Sequence, residues 1–400
     1  MKSIKELYKI GYGPSSSHTM GPEKAIKLFD KEFADADSYS VTLYGSLALT
    51  GQGHCTDKVL QKSVNKPVEI VWDTLTTNLP HPNTMDIRAI KNNEIIGSWR
   101  VFSIGGGAIK VEGKEDFETP DIYKEDSFEA IKLFCEKEQI TIPEYIELME
   151  GVEIWDYLSE VWDCMLESIN NGLNAEGTLP GSLGTTRKAH LLYYTEQNNE
   201  TPEIREQRIV CAYAFAVSEE NAAGNRIVTA PTCGASGVLP AIIKYVSEKN
   251  NFDKKRILEA LATAGIIGNL IKTNASISGA ECGCQAEIGS ATSMAAAGVA
   301  ELFNMDLNQI EYAAEVAMEH QLGLTCDPIN GLVQIPCIER NAVAAMRALN
   351  AVSLANILTH TRKISFDTII KTMYETGQDL RKEYKETSKG GLAKTFKKKK

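Results

Sequence analysis

The sequence predicts an α+β N-terminal domain followed by a mostly α-helical domain, in a chain of 400 residues. Short apolar segments, such as 68–72 and 95–103, predict strands in the first part. From Ser127 onward, apolar residues recur with helical spacing over longer segments. A charged stretch at 115–125 lies between the two patterns. The predicted organisation is an α+β domain at 1–115, a linker region at 116–140 and a helical domain at 141–400.

The composition is that of an ordinary soluble globular protein, with 43% hydrophobic and 24% charged residues. A net charge of -11 argues against a nucleic-acid partner, which would favour a basic surface. We expect no membrane segment, because the richest apolar run, 260–271, is broken by Thr and Gly. The chain opens without an apolar leader, so we expect a cytoplasmic protein. Nine cysteines in that compartment indicate metal ligands or core thiols rather than disulfides.

The first part begins with a polar loop at 11–22 that leads into a predicted helix at 23–33. Backbone N–H groups at a helix N-terminus can hold an anion or a carboxylate, and hydroxyls there can also simply cap the helix. Both interpretations stay open for the loop's polar side chains, which are Ser15, Ser16, Ser17, His18 and Thr19.

A predicted strand at 40–49 is followed by a second polar loop, 51–57, which carries His54. A third histidine element, His81-Pro82-Asn83, precedes a segment that alternates like a strand. The second part contains six apolar segments with the length and spacing of helices. These predicted helices span 146–169, 209–218, 257–273, 292–303, 310–318 and 342–358.

The stretch from 274 to 341 concentrates four cysteines, each beside Gly, Pro or a polar turn residue: Cys282, Cys284, Cys326 and Cys337. Thiolates are soft ligands that suit zinc or iron–sulfur clusters. Free cysteine is also among the most buried residue types. The long, irregular separations fit none of the familiar ferredoxin or zinc spacings, so a metal site and a core role both remain open. Pro328 lies two residues after Cys326 and Pro336 directly precedes Cys337, and these prolines predict fixed, irregular backbone at helix ends.

Three short motifs carry a resemblance to a known family: Gly-Cys-Gln at 283–285, Cys-Asp-Pro at 326–328 and Pro-Cys-Ile-Glu-Arg-Asn at 336–341. They resemble the catalytic half of the iron–sulfur L-serine dehydratases (L-serine ammonia-lyases). The resemblance covers nearly the whole chain, including Gly-Pro-Ser-Ser-Ser-His-Thr-Met-Gly-Pro at 13–22. It implies a single chain with a beta-type domain at 1–115 fused to a catalytic alpha-type domain at 141–400.

The resemblance implies a lyase that deaminates L-serine to pyruvate and ammonia, as in serine degradation. Cys284, Cys326 and Cys337 would hold a [4Fe–4S] cluster whose fourth iron is open to substrate and acts as a Lewis acid. Cys282 and Cys233 stand where the family usually has other residues, and we interpret both as non-ligands. The resemblance also implies a homodimer.

Site residues follow from the same resemblance. His18 and His54 lie in family motifs and are the candidate general bases, with the thiols and Lys272 as alternatives. His81 and Asn83 are candidates for a regulatory serine site, although the segment between Asp57 and His81 is shorter than in many relatives. The candidates for binding the substrate carboxylate or ammonium are Ser15, Ser16, Ser17, Thr19, Asn274 and Ser276.

Three other functions compete with this hypothesis. Pyridoxal phosphate chemistry needs a Schiff-base lysine and a phosphate-binding glycine loop, and only the glycine run at 105–107 resembles such a part. A non-catalytic serine sensor on the same fold would have no use for an open iron. A zinc protein would use Cys282 and Cys284 together with Cys326 and Cys337. The lysine run at 397–400 predicts a solvated, disordered tail.

Overall fold

The computed structural model describes residues 1–114, 119–195 and 199–396. Residues 115–118, at the predicted boundary between the α+β domain and the linker region, and the lysine run at 397–400 lie outside the described residues. Two separate hydrophobic cores are present, one in an α/β part near the N-terminus and a larger one in a helical part. This arrangement confirms the predicted fold class.

The described strands form two sheets. Five strands form a mixed sheet in the order β3-β2-β4-β5-β6, in which only β2 and β3 run parallel. The other two, β1 and β7, form a short antiparallel pair. The strand bounds are β1 Ile10–Tyr12, β2 Ser38–Tyr44, β3 Val68–Asp73, β4 Thr84–Lys91, β5 Glu94–Gly105, β6 Ala108–Val111 and β7 Arg226–Val228.

Helices supply the remaining regular structure, together with short 3-10 and π-helical turns. Those of the α/β part are α1 Gly21–Glu32, α2 Gly45–Thr50 and α3 Thr56–Lys62. Those of the helical part are α4 Phe128–Glu138, α5 Ile142–Glu150, α6 Ile154–Asn174, α7 Ala189–Tyr194, α8 Pro202–Ala222, α9 Val238–Asn250, α10 Lys254–Asn274, α11 Gly279–Cys282, α12 Ser290–Leu302, α13 Leu307–Glu319, α14 Cys337–Leu358, α15 Phe366–Asp379 and α16 Gly391–Thr395.

The strand predicted at 40–49 is too long. The chain leaves the sheet after Tyr44, because Gly45 has a φ of +52° and begins α2. A Cβ at Gly45 would also lie 2.4 Å from the carbonyl oxygen of Pro82, so only glycine fits this turn. The consequence is functional, since α2 then leads the chain directly to His54.

The long helix predicted at 146–169 is in fact two helices, α5 and α6. Gly151, with a φ of +82°, ends α5 one turn before α6 begins. The predicted segments at 257–273 and 310–318 lie within α10 and α13. Helix α12 is buried along its whole length against α10 and α13, and its small residues allow that close packing.

The first twelve residues belong to the helical part, although the sequence predicts them in the α+β domain. Ile4, Leu7 and Tyr8 are fully buried in the larger core, and the Tyr8 hydroxyl donates to the Leu261 carbonyl at 2.8 Å. Strand β1 then pairs with β7. The chain therefore starts in the helical part and crosses to the α/β part through the polar loop that precedes α1. The predicted boundaries at 115 and 140 stay predictions.

One helical stretch in the described part of the chain, Cys337–Thr361, is long and apolar enough to cross a membrane by length and composition. It contains α14, which packs against α8, α12 and α13. Alanines of α14 are buried in the larger core, as in the core helix of a globular domain.

Candidate active site

Three thiols from separate segments line one small enclosed cavity between the two parts. Cys284 lies in the loop before a π-helical turn at Gln285–Gly289, and Cys326 lies in the irregular segment after α13. Cys337 is the first residue of α14. All three are buried and all three line the cavity. The structure therefore brings together the three cysteines that the resemblance singled out.

The thiols differ in their protonation. A hydrogen bond from Cys326, reinforced by the Arg340 guanidinium and opposed by burial, lowers the pKa of the Cys284 thiol to about 6. Cys326 donates that hydrogen bond, and this donation, together with burial, raises the pKa of the Cys326 thiol. Burial and the negative charge of Cys284 raise the pKa of Cys337. One thiolate beside two thiols is an arrangement that a bound metal would convert to three thiolate ligands.

Arg340 holds the cysteine segments in place. It donates to the Thr325 carbonyl at 2.6 Å and to Asp327 Oδ1 at 3.1 Å, on either side of Cys326. Despite burial, the neighbouring thiols raise the pKa of Arg340 further, so the guanidinium stays charged. It offsets part of the negative charge that a set of thiolates would carry.

His18 and His54 lie side by side, with ring centroids 4.5 Å apart, and both are fully buried. Burial lowers the pKa of His18 to about 4, against a hydrogen bond to Ser46 that raises it. Burial, followed by the proximity of His18, lowers the pKa of His54 well below its usual range. Both imidazoles are therefore neutral near pH 7 and able to accept a proton.

The hydrogen bonds distinguish the two histidines. Ser46 Oγ donates its proton to the Glu386 carbonyl at 2.8 Å, so His18 Nε2, 3.1 Å away, is the donor to Ser46. His18 Nδ1 is then the acceptor for Ser17 Oγ at 2.9 Å. Neither ring nitrogen of His54 has a hydrogen-bond partner in the described part of the chain, and His54 lines the cavity. His54 thus keeps a free lone pair, whereas His18 does not.

Glu386 reaches the cavity from the C-terminal segment, and the sequence did not single it out. Its backbone N–H donates to the Cys326 carbonyl at 2.8 Å, next to a bond from the Cys326 N–H to Tyr384. Its Oε1 lies 3.6 Å from His18 Nδ1 and 3.9 Å from His54 Nε2. Burial, followed by the charges of Glu287 and Cys284, raises the pKa of this carboxyl well above its usual range. No local pattern predicts its place, because backbone pairing across 60 residues of chain sets it.

Glu287 is a second carboxyl that sequence reasoning missed. It lies on the π-helical turn after Cys284, and a ligand atom from each of Cys284, Glu287 and Cys326 lies within 4.8 Å of the others. Burial and the negative Cys284 raise the pKa of Glu287 to about 8. Its spacing of three residues from Cys284 is the one sequence signal that could have drawn attention to it.

The Ser15–Thr19 loop is held mainly by its own hydroxyls. Ser15 Oγ accepts from the His18 N–H, and Thr19 Oγ1 donates to the His54 carbonyl at 2.8 Å. Ser15 lines the cavity, whereas Ser16, Ser17 and Thr19 are not among its lining residues. The loop therefore fixes the histidine pair and contributes one residue, Ser15, to the lining of the cavity.

The structure does not bring Asn274 or Ser276 to the cavity. Asn274 is exposed at the end of α10, where its amide donates to the carbonyls of Asp126 and Leu270. Ser276 donates to Glu281 Oε2, and Glu281 Oε1 lies 3.4 Å from His81 Nε2. Neither residue reaches the cavity, because both lie at or just after the end of α10, before the chain turns towards Cys284.

His81 and Asn83 lie at the junction of the two parts. His81 Nδ1 accepts from the Asn83 N–H at 3.0 Å, and Asn83 is fully buried. The Asn83 Oδ1 atom has no hydrogen-bond partner in residues 1–114, 119–195 and 199–396. The contact between His81 and Glu281 links this pair to the segment that leads into Cys282 and Cys284.

The remaining candidates lie away from the cavity. Cys282 accepts a hydrogen bond from Gln378 at 3.6 Å and packs against Gly377 of α15. Cys233 contacts the sulfur of Met20 at 3.3 Å. Lys272 donates to the Glu6 carbonyl at 2.9 Å, beside the N-terminal segment. None of these three residues lines the cavity.

The donor set fits a cluster held by three cysteines. The three thiols are buried, come from fixed segments and face common space. Gly279 supports that fit, since a Cβ there would lie 3.1 Å from Cys326 Sγ and 2.7 Å from Glu287 Oε2. A side chain at this position would occupy the space beside two of the donors.

The chain combines an α/β part, a helical part and a cysteine-lined cavity between them. It belongs to the serine dehydratase family. The family model described as "Serine dehydratase alpha chain" matches residues 88–393. The model described as "Serine dehydratase beta chain" matches residues 3–64. The alpha-chain match begins within β4, so it crosses the domain boundary predicted at 115.

Curated relatives match over their whole length. L-serine dehydratase 2 of Escherichia coli (strain K12) is 38% identical, covering 98% of each chain. The L-serine dehydratase of Haemophilus influenzae is 40% identical, covering 98% of this chain and 99% of the relative. That of Helicobacter pylori (strain ATCC 700392 / 26695) is 38% identical, covering 99% of both.

Proposed function

We propose that this chain deaminates L-serine to pyruvate and ammonia, with a [4Fe–4S] cluster held by Cys284, Cys326 and Cys337. One observation carries the proposal: three thiols up to 53 residues apart in sequence line the same cavity as His54. The full-length relatives named L-serine dehydratase support the substrate.

The reaction removes a Cα proton and a hydroxide, which is a poor leaving group. When bound, the cluster would supply a Lewis acid for that hydroxide. His54 takes the Cα proton, because it is neutral, lines the cavity and has a free lone pair. Loss of water leaves aminoacrylate, which hydrolyses to pyruvate and ammonia without further help from the protein.

The surrounding residues hold the His54 ring in place before and after it takes up the proton. Thr19 donates a hydrogen bond to the His54 carbonyl, and Glu386 Oε1 lies 3.9 Å from His54 Nε2, so this carboxyl faces the imidazolium that forms. His18 packs against the His54 ring and fixes its position. Ser15 also lines the cavity and is the residue of its segment that contacts the substrate.

We further propose that His81 and Asn83 form a regulatory serine site. The buried Asn83 Oδ1 has no partner in the described residues, and His81 contacts Glu281. A ligand there would touch the segment that leads into Cys284. A homodimer and a cytoplasmic location complete the proposal. The exposed apolar residues Val343, Leu354 and Ile357 of α14 offer a surface for a second copy.

The test is anaerobic purification, followed by iron, sulfide and zinc analysis and a pyruvate assay on L-serine with the same sample. We expect brown protein with about four irons per chain that makes pyruvate until air bleaches it. Colourless protein containing zinc would contradict the cluster. Iron-loaded protein that is inert to L-serine would contradict the activity and favour a sensor.

A further inference from the structure

The lining of the cavity carries several acidic groups. Glu287, Glu386 and the three thiols line it, and among the described residues none of the lining side chains is a lysine or arginine. Arg340 is close enough to lower the pKa of Cys284 and of Glu287, but it is not a lining residue, and it donates to the Thr325 carbonyl and to Asp327. Buried carboxylates are costly unless a positive group pairs with them. A ligand that brings a cation into the cavity would provide that pairing.

The two carboxyls are not equivalent. Glu386 faces both histidines, with Oε1 within 3.9 Å of each ring. Glu287 faces neither ring: its Oε1 accepts a hydrogen bond from Thr232 Oγ1 at 2.7 Å. Its Oε2 accepts no hydrogen bond from the described residues. Glu287 therefore has one oxygen held by the protein and one available to a ligand.

Two glycines leave the space around the Glu287 carboxyl open. A Cβ at Gly279 would lie 2.7 Å from Oε2, and a Cβ at Gly234 would lie 3.2 Å from Oε1. Gly234 itself lines the cavity, and Glu287 is partly exposed to it. Side chains at these positions would press on the carboxyl from both sides.

We propose that Glu287 binds the ammonium group of the substrate through Oε2, while Thr232 holds Oε1 and orients the carboxyl. This inference rests on the proposed function and adds the group that selects an amino acid over a hydroxy acid. Pairing with a carboxylate favours the charged form of an amine. A charged ammonium makes the neighbouring Cα proton easier for His54 to remove.

The experiment compares two non-reacting ligands that differ only in the ammonium, L-alanine and propanoate. Both are titrated into the anaerobic holoenzyme, with competitive inhibition and the EPR spectrum of the reduced cluster as readouts. We expect the wild type to bind L-alanine more tightly than propanoate. Glu287→Gln should weaken the binding of L-alanine about 10- to 100-fold and leave the binding of propanoate unchanged. The KM for L-serine should rise by the same factor.

Glu301→Gln is the matched control. Glu301 is also a buried carboxyl that accepts from a threonine, Thr263, but it lies on α12 away from the cavity. This variant should keep the preference for L-alanine. Thr232→Val is a second test, because it removes the hydroxyl that orients Glu287. It should also weaken the binding of L-alanine, but by a smaller factor of about threefold to tenfold.

Several outcomes would overturn the inference. The first is a wild type that binds the two ligands equally, and the second is a Glu287→Gln variant that keeps the preference. A third is a changed spectrum of the ligand-free cluster in Glu287→Gln, which would make Glu287 an iron ligand instead. Failure of the proposed function is recognised separately, since a wild type with an intact cluster would then make no pyruvate from L-serine.

Discussion

The α/β part and the helical part contribute different chemistry to the cavity. The helical part supplies the three thiols, on irregular segments fixed by Arg340 and by backbone pairing with the C-terminal segment. The α/β part supplies His18 and His54, fixed by a ring of hydroxyl hydrogen bonds. The proposed cluster ligands and the proposed base are therefore fixed by mostly different contacts, and substitutions should separate binding of the proposed cluster from proton transfer.

The largest effect is expected on the helical side. Cys326→Ser should abolish the cluster and the activity together, because it removes a thiolate ligand. Cys282→Ser is the control and should keep both, since Cys282 packs against α15. Iron, sulfide and visible absorbance give the cluster content. A Cys326→Ser protein with full cluster and activity would show that Cys326 is not a ligand.

The next largest effect is expected on the α/β side. His54→Ala should reduce kcat about 10²- to 10⁴-fold, as loss of a general base does, while the cluster content stays unchanged. His190→Ala removes a partly exposed histidine that hydrogen-bonds to the Leu173 carbonyl, and it should leave kcat unchanged. If His54→Ala lost iron along with activity, the two parts would not act independently.

The buried histidines should also make stability depend on pH. The pKa of His18 is about 4 in the folded chain and about 6.5 when unfolded, so below pH 6.5 the unfolded chain binds more protons. The contribution of His18 to the free energy of unfolding is therefore complete above pH 6.5 and decreases as the pH falls towards 4. The loss from His18 between pH 7.5 and pH 5 is about 2 kcal/mol.

Urea unfolding midpoints of the wild type and His18→Gln at these two pH values measure the difference. The variant should show the smaller change, and His190→Gln should behave like the wild type. Equal pH dependence in wild type and His18→Gln would mean that His18 is not held neutral by burial.

The smallest effect concerns the hydroxyl that connects the two parts. Ser46 accepts from His18 and donates to the Glu386 carbonyl, so Ser46→Ala removes one bond on each side. We expect kcat to fall by up to about tenfold, which corresponds to roughly 1.4 kcal/mol. Ser63→Ala removes a hydroxyl that, within the described residues, bonds to the Val59 carbonyl of α3, and it should have no effect on kcat. No change in kcat for Ser46→Ala would show that the tautomer of His18 is set by other contacts.

The spacing of apolar residues in the sequence was sufficient to predict most of the architecture. Apolar spacing located α10, α12 and α13, because these helices are long and their burial follows their own sequence. It failed where a single residue changes the backbone, as at Gly45 and Gly151, whose positive φ angles end a strand and a helix. Periodicity does not register such a turn when apolar residues continue on both sides.

The site was predictable only where side-chain chemistry is distinctive. Resemblance pointed to Cys284, Cys326 and Cys337, and the structure brings them together. It also pointed to Asn274, which lies outside the cavity, and it passed over Glu386. Glutamate is common on surfaces, and the position of Glu386 depends on pairing with Cys326, which no short window of sequence contains.

The pairing of the C-terminal segment with Cys326 has a consequence for biosynthesis. The cavity is lined by Ser15 and by Glu386, which lies 371 residues further along the sequence. All of the sequence between these two residues must therefore leave the ribosome before the site can close. Delivery of the proposed cluster would then follow synthesis of this whole stretch, and the thiols would have to stay reduced until it arrives.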